Sequence, residues 1–286
     1  MKKLFLLFTL CLMGEVVSAQ DYASTVYKTS GTPKAVLVSG VESMTFNKAA
    51  AVDKSLYISS KWKGKKVGFL GNSITENGEY VKAYQELTGC IAYNFGISGT
   101  HMAKINASTT NAFETRCNNM PNDLDLVIVF GGTNDFGHTN TADFGQFGDG
   151  TNPNTFTFYA GLHRLFTALN TKYRKVPVVI MTPIHHGVEV DAPEYTIASD
   201  GTITEGTNPK TGKTFLQYVN AIKEVATYYS FVVLDAYSYS GLSPMTEIGS
   251  ANRYYFKDGL HLTDEGGKRL AKWMYPQLEQ VYDMYY

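Results

Sequence analysis

The sequence predicts an α/β domain in which a parallel sheet lies between two layers of helices. Five short apolar segments alternate with stretches of helical periodicity along the 286-residue chain. The third segment, residues 124–130, is almost entirely apolar, which is typical of a strand buried on both faces. Two long polar stretches, residues 137–154 and 185–213, each follow an apolar segment. This alternation predicts a three-layer α/β/α domain with its ligand site at the carboxyl ends of the strands.

The predicted strands and helices follow one another in a regular order after residue 61. The five predicted strands cover residues 66–70, 91–95, 124–130, 176–181 and 231–234. Helical spacing predicts four helices, over residues 79–87, 156–169, 215–228 and 265–282. The connection between the second and third strands has the least regular pattern. We therefore expect one domain over residues 61–286.

The segment before this domain has two predicted parts. Residues 1–19 have the features of a secretory signal peptide: two lysines, an apolar run too short to span a bilayer, and small residues at Val17 and Ala19. Leucine precedes Cys11, whereas a lipoprotein signal has a small residue there, so no lipid anchor is expected. Residues 20–60 contain short strand-like pieces and predict a small β-rich extension. We expect an exported protein, periplasmic or secreted, without stable membrane insertion.

Charge balance and cysteine content argue against several classes of function. The chain has 25 basic and 26 acidic residues, so its charge gives no support for a nucleic-acid partner. Cys90 and Cys117 would remain after signal cleavage, and their spacing fits no zinc-binding pattern. An exported protein could join them in a disulfide, but two separate, partly buried thiols are the favoured interpretation.

Two segments with chemically useful residues follow the first and second predicted strands. Gly71-Asn72-Ser73 follows the first strand. A serine in a tight strand-to-helix turn exposes its hydroxyl beside backbone N–H groups, which suits a nucleophile, although such a serine is also a common helix cap. After the second strand, residues 94–100 contain Gly96 and Gly99, which let the backbone approach a ligand or simply form a turn.

Two further segments supply an amide and a carboxylate–imidazole pair. In Gly131-Gly132-Thr133-Asn134-Asp135, after the third strand, the Asn134 amide could donate to an oxyanion or complete a polar turn. Asp258 lies three residues before His261, near the start of the last helix, so its carboxylate can bond and orient the imidazole. The other histidines lack a partner at such spacing and are interpreted as surface or loop residues: His101, His138, His163, His185 and His186.

Taken in order, these four segments resemble the SGNH hydrolase superfamily, also called GDSL esterases and lipases, over roughly residues 64–284. The resemblance implies a flavodoxin-like sheet with strand order 2-1-3-4-5, and serine ester hydrolysis without a cofactor or metal. It implies that Ser73 is the nucleophile, that His261 is the general base and then acid, and that Asp258 orients His261. The Ser73 N–H, the Gly99 N–H and the Asn134 side chain would form the oxyanion hole.

The residue before the predicted nucleophile departs from the family pattern. The usual Gly-Asp-Ser is Gly71-Asn72-Ser73 in this chain. Asn72 is isosteric with Asp and can keep one acceptor bond to the neighbouring backbone, but it lacks a charge that would help to stabilise the imidazolium. We expect activity to survive, and a weakened or lost activity is the alternative. Asn94 and Asp135 are expected to support the site.

The two polar stretches indicate the substrate class. They contain no long apolar run, and Phe147, Tyr159 and Tyr195 lie in or beside them. This composition favours a short acyl group on a polar alcohol, and export suggests an acetylated glycan. Lipase, lysophospholipase or thioesterase activity on longer acyl chains is one alternative. A non-catalytic glycan-binding module is another, although binding alone needs no aligned Ser, His and Asp.

Overall fold

The computed structural model describes residues 59–187, 192–247 and 254–286. The predicted signal peptide lies outside these ranges, and so does the predicted β-rich extension except for its last two residues. Within the described ranges, no helix is both long enough and apolar enough to cross a bilayer.

A five-stranded parallel sheet forms the centre of the described domain. The strands of the structure, in chain order, are β1 (Lys66–Gly71), β2 (Ile91–Gly96), β3 (Leu126–Phe130), β4 (Val178–Met181), β5 (Tyr195–Ile197), β6 (Ile203–Glu205) and β7 (Val232–Leu234). The parallel sheet has the order β2-β1-β3-β4-β7, which confirms the predicted 2-1-3-4-5 arrangement of its five strands. Val67 of β1 pairs with Ala92 on one side and with Leu126 on the other.

Helices cover both faces of this sheet. They are α1 (Ser73–Asn77), α2 (Glu79–Thr88), α3 (Phe113–Arg116), α4 (Thr133–Gly137), α5 (Phe158–Lys172), α6 (Phe215–Tyr228), α7 (Ala236–Tyr239) and α8 (Asp264–Tyr285). Successive side chains of a strand point to opposite faces, so fully buried β3 contributes to two apolar clusters. Val127 and Val129 pack in the cluster that includes α5 and α6. Leu126 and Ile128 pack in the other, which includes α2 and α8. The predicted three-layer α/β/α fold is confirmed.

The structure adds elements that the sequence pattern does not reveal. The polar stretch 185–213 contains the antiparallel hairpin β5–β6, with Ile197 paired to Ile203. Helices α1, α3, α4 and α7 have only four or five residues each. Elements this short span barely one turn or one alternation, so hydrophobic periodicity gives too few repeats to detect them.

The structure confirms the expected separation of the two cysteines but not the expected exposure of the histidines. Cys90 and Cys117 are free and fall in different apolar clusters, which confirms two separate thiols, although both are fully rather than partly buried. The expectation of surface or loop histidines is wrong for His163, which is buried within α5, whereas His101 and His186 lie in loops as expected but are buried there. His186 is buried because it packs against an aromatic ring: its own ring lies 4.4 Å from that of Phe215 on α6. Burial lowers the pKa of both His101 and His186 to about 4.

Candidate active site

The predicted nucleophile lies in a tight turn between β1 and α1. Ser73 is the first residue of α1, and Asn72 caps that helix with its side-chain oxygen, which accepts the N–H of Ile74 at 3.1 Å. This is the single acceptor bond expected of asparagine at this position. A Cβ on Gly71 would lie only 1.8 Å from the Thr75 hydroxyl oxygen, so the turn requires glycine there. The half-buried Ser73 is thereby held at the carboxyl end of β1.

The structure brings Ser73, His261 and Asp258 together in one hydrogen-bonded series. His261 Nε2 lies 2.9 Å from Ser73 Oγ, and His261 Nδ1 lies 2.7 Å from Asp258 Oδ2. The second oxygen of Asp258 accepts the backbone N–H groups of Leu260 and His261, at 3.0 and 2.7 Å. A carboxylate bound to Nδ1 leaves Nε2 able to accept the serine proton.

Asp258 remains an ionised partner for this imidazole. Partial burial acts to raise the pKa of its carboxyl, but the backbone and side-chain hydrogen bonds from His261, with the backbone N–H of Leu260, outweigh burial. The pKa of Asp258 therefore lies below its ordinary value of 3.8. The charged form favours a proton on Nδ1 and stabilises an imidazolium.

The loop after β2 lies against the serine turn. The Asn94 side chain donates to the Thr75 carbonyl at 2.6 Å and accepts the N–H of Gly96 at 2.8 Å. A Cβ on Gly96 would lie 2.1 Å from the backbone nitrogen of Glu76, so only glycine permits this close approach to α1. Further along, Gly99 has φ +71° and open space around its Cα. Its left-handed backbone favours glycine.

Asn134 and Asp135, from the turn after β3, hold the same loop from the other side. The Asn134 side-chain amide donates to the Thr100 carbonyl at 2.9 Å. The Asp135 carboxylate accepts the backbone N–H groups of Met102 and Ala103 at 2.9 and 3.2 Å. Asn134, the predicted side-chain donor, therefore binds the residue next to Gly99. Burial raises the pKa of Asp135 to about 7, although the two backbone N–H groups partly oppose this shift.

Arg116 is a central residue of this network that the sequence analysis missed. Its guanidinium donates to the carbonyls of Phe95 and Gly71, at 2.6 and 2.9 Å, and to the Thr100 hydroxyl at 2.9 Å. It thus joins the ends of β1 and β2 to the loop that carries Gly99. Burial lowers the pKa of Arg116 to about 10. The short helix α3 lies in the least regular part of the sequence, where no motif signals its role.

Glu76 is a second positioning residue without a sequence signal. Its carboxylate accepts the backbone N–H of Ser98 at 3.0 Å and also binds the Ser98 hydroxyl. Because Glu76 lies three residues after Ser73, this contact ties the helix of the serine to the residue before Gly99. Within the residues that the structure describes, no group of three or more His, Cys, Asp or Glu side chains could hold a metal ion.

The fold and this arrangement define the class of protein. An α/β/α sheet with a Ser–His–Asp series at the carboxyl ends of its strands is typical of ester hydrolases. The chain belongs to the GDSL-like lipase/acylhydrolase family, whose model matches residues 69–269. It is accordingly a hydrolase that acts on esters.

Solved structures share this architecture. A protein from Lactobacillus plantarum is 26% identical to this chain. The match covers 76% of this chain and 98% of that protein, with a TM-score of 0.62. A possible lipase from Chitinophaga pinensis is 18% identical to this chain. That match covers 76% of this chain and 99% of the lipase, with a TM-score of 0.55. The second likeness concerns the fold alone. A comparison with curated proteins gives no significant match.

Proposed function

We propose that this hydrolase is an exported serine esterase that removes short acyl groups, acetyl above all, from carbohydrate. The observation that carries the proposal is the hydrogen-bonded series from Asp258 through His261 to Ser73, with distances of 2.7 and 2.9 Å. A serine needs an adjacent base, itself oriented by a third group, to act as a nucleophile at neutral pH. The three side chains supply these three roles.

The proposed reaction uses these groups in turn. His261 Nε2 takes the proton of Ser73 as its oxygen attacks the ester carbonyl, and Asp258 stabilises the resulting imidazolium. The N–H groups of Ser73 and Gly99 and the Asn134 amide bind the oxyanion. His261 gives its proton to the leaving alcohol, and an acyl group remains on Ser73. Water, activated by His261, then releases the acid and restores the serine.

The loops around the cleft support a polar alcohol. In the stretch 137–154, Thr139, Asn140 and Gln146 are exposed. The aromatic side chains of this region turn inward instead: the Phe147 ring lies 4.9 Å from that of His163, and Tyr159 donates to Glu224 at 2.6 Å. These two aromatics therefore pack on the helices, and the exposed side chains of this stretch are polar.

One observation favours longer acyl chains as a second candidate. The cross-strand pair Ile197 and Ile203 on the β5–β6 hairpin is 47% and 65% exposed. An exposed aliphatic pair could contact a hydrocarbon chain. Acyl chain length is for this reason the variable of the first experiment.

The first experiment measures hydrolysis of p-nitrophenyl acetate and p-nitrophenyl octanoate by the wild type and by Ser73→Ala. We expect acetate to be preferred, and kcat to fall by at least about 10³-fold in the variant because its nucleophile is gone. Ser108→Ala is the matched control, since Ser108 is exposed and its hydroxyl binds Asn106 within its own loop. Acetate release from acetylated xylan then tests the carbohydrate substrate.

Each other outcome has a defined meaning. A preference for octanoate would replace the deacetylase by a lipase or thioesterase. Wild-type turnover that Ser73→Ala leaves unchanged would contradict the serine mechanism. No turnover of either ester would indicate that Asn72 disables the site, and glycan binding would then be measured by calorimetry.

A further inference from the structure

A second imidazole–carboxylate pair lies at the same edge of the sheet, beyond β4. His185 Nδ1 is 2.8 Å from an oxygen of Glu194 that also accepts the backbone N–H of His186 at 3.3 Å. The other oxygen of Glu194 accepts the hydroxyl of Tyr237. Glu194 is fully buried, and a buried carboxylate is costly unless donors surround it. Three donors from two segments meet this requirement, so the fold holds the Glu194 carboxylate and the His185 ring in fixed positions.

These contacts leave one nitrogen of His185 available. The bond to Glu194 favours a proton on Nδ1, and Nε2 then carries a free lone pair. No partner for Nε2 occurs among residues 59–187, 192–247 and 254–286, and the His185 side chain is 23% exposed. Its ring is 4.1 Å from that of Tyr237, which limits its rotation. The result is an oriented acceptor that solvent, or a ligand, can reach.

His185 lies close to the turn that carries Asp258 and His261. The N–H of Gly187, two residues further on, donates to the Gly259 carbonyl at 2.7 Å. A Cβ on Gly187 would lie 2.9 Å from that same carbonyl oxygen, so the two backbones are in direct contact. Strand β4 is two strands from β1, and at about 4.8 Å per strand its end lies roughly 10 Å from the Ser73 turn.

We propose that His185, held by Glu194 and Tyr237, forms a second subsite that binds a hydroxyl group on the alcohol part of the ester. This inference rests on the proposed function, because it assumes an ester of a polyhydroxylated alcohol. A hydrocarbon chain would leave the imidazole nitrogen without a partner, whereas a hydroxyl on the sugar part of the ester satisfies it. His185 binds substrate and takes no part in proton transfer to Ser73.

The test compares two acetate esters that differ in their alcohol. Monoacetylated xylobiose offers neighbouring hydroxyl groups, and p-nitrophenyl acetate offers none. In His185→Asn the shorter amide can still donate to Glu194, while nothing replaces Nε2. We expect kcat/KM for acetylated xylobiose, divided by that for p-nitrophenyl acetate, to fall by about tenfold or more, mainly through a higher KM.

Two further variants distinguish substrate binding by His185 from a purely structural role. Glu194→Gln removes the charge that orients the imidazole, so the same ratio should fall, by less than in His185→Asn. His163→Asn is the matched control, because it makes the same substitution at a histidine whose two ring nitrogens already have partners, Tyr229 and Phe147. It should change the ratio by less than about twofold.

Several results would overturn the subsite. Equal losses on both esters in His185→Asn would assign His185 a general structural role. An unchanged ratio would show that Nε2 binds no substrate hydroxyl. If the wild type hydrolyses p-nitrophenyl acetate through Ser73 but does not hydrolyse acetylated xylobiose, the subsite is refuted and the serine esterase activity is still supported. Absence of Ser73-dependent turnover on both esters would instead refute the proposed function, and the subsite with it.

Discussion

The turn that carries Ser73 and the turn that carries Asp258 and His261 are held in place in different ways. Around the serine, Asn134 and Asp135 are 4% and 1% exposed and bind the loop after β2 from the turn after β3, while Arg116 joins that loop to the ends of β1 and β2. The side chain of Asp258 is 53% exposed and that of His261 is 25% exposed. Among the residues that the structure describes, the Asp258 carboxylate binds only groups of its own turn.

This difference predicts which substitutions alter stability as well as activity. Beside the half-buried serine, Asn134 and Asp135 belong to a buried network, where loss of one member leaves other polar groups without partners. The turn of His261 is mainly a local structure, closed by the Lys257 N–H to His261 carbonyl bond of 2.8 Å and by the bridge of Phe256 with Leu262, and the Gly187 N–H binds it from another segment through backbone alone. Substitutions in the network should therefore affect stability and activity together, whereas substitutions in the local turn should affect activity alone.

His261→Ala should have the largest effect of the variants that test this contrast. We expect kcat for p-nitrophenyl acetate to fall by at least about 10³-fold, because Ser73 loses its base. The free energy of unfolding should change by no more than about 0.5 kcal/mol, since the side chain is partly exposed and, within the described ranges, bonds only Ser73 and Asp258. Steady-state kinetics and urea unfolding measure the two quantities. A large loss of stability would show that this turn is part of the network after all.

Asn134→Ala should come next and should lower both quantities. The loss of one oxyanion donor is expected to cost about 10²–10³ in kcat. The Thr100 carbonyl also loses its donor, so the free energy of unfolding should fall by about 1–3 kcal/mol. The same two measurements apply, with the protein shown to be folded at the assay temperature. An unchanged kcat would contradict the assignment of Asn134 to the oxyanion hole.

The sequence predicted those parts of the fold and site that local patterns encode. Five apolar segments predicted the sheet, and short motifs at their ends predicted Ser73, Asn134 and the pair of Asp258 with His261. The structure brings Asn134 next to the Gly99 loop and His261 next to Ser73. Parallel strands end at one edge of the sheet, which is why segments distant in sequence could be predicted to meet.

The positioning residues could not be predicted in the same way. Arg116 and Glu76 act through contacts with backbone groups of distant loops, and such contacts leave no spacing pattern in the sequence. Glu194 illustrates the same limit, because its partner Tyr237 is 43 residues away. The burial of Asp135 also escaped prediction, since an aspartate in a polar turn is ordinarily exposed.

Asp135 gives an effect that depends on pH and is expected to be smaller than the losses of kcat in the other two variants. Burial raises the pKa of its carboxyl from 3.8 to about 7 in the folded protein. Between these values the folded state holds a proton that the unfolded chain has released, so stability is lost as pH rises from about 4 to about 7. From pH 5 to pH 8 this loss amounts to about 2–3 kcal/mol at most, at about 1.4 kcal/mol per unit of pKa.

Asp135→Asn isolates this contribution, because asparagine does not titrate and has nearly the same shape. The free energy of unfolding of the wild type, minus that of the variant, should decrease by about 2–3 kcal/mol between pH 5 and pH 8. Urea unfolding at the two pH values measures it, and taking the difference cancels titrating groups that both proteins share. A difference that is independent of pH would mean that the carboxylate stays charged in the folded state. The N–H groups of Met102 and Ala103 would then offset burial completely, and the network around the serine would hold a charge instead of a proton.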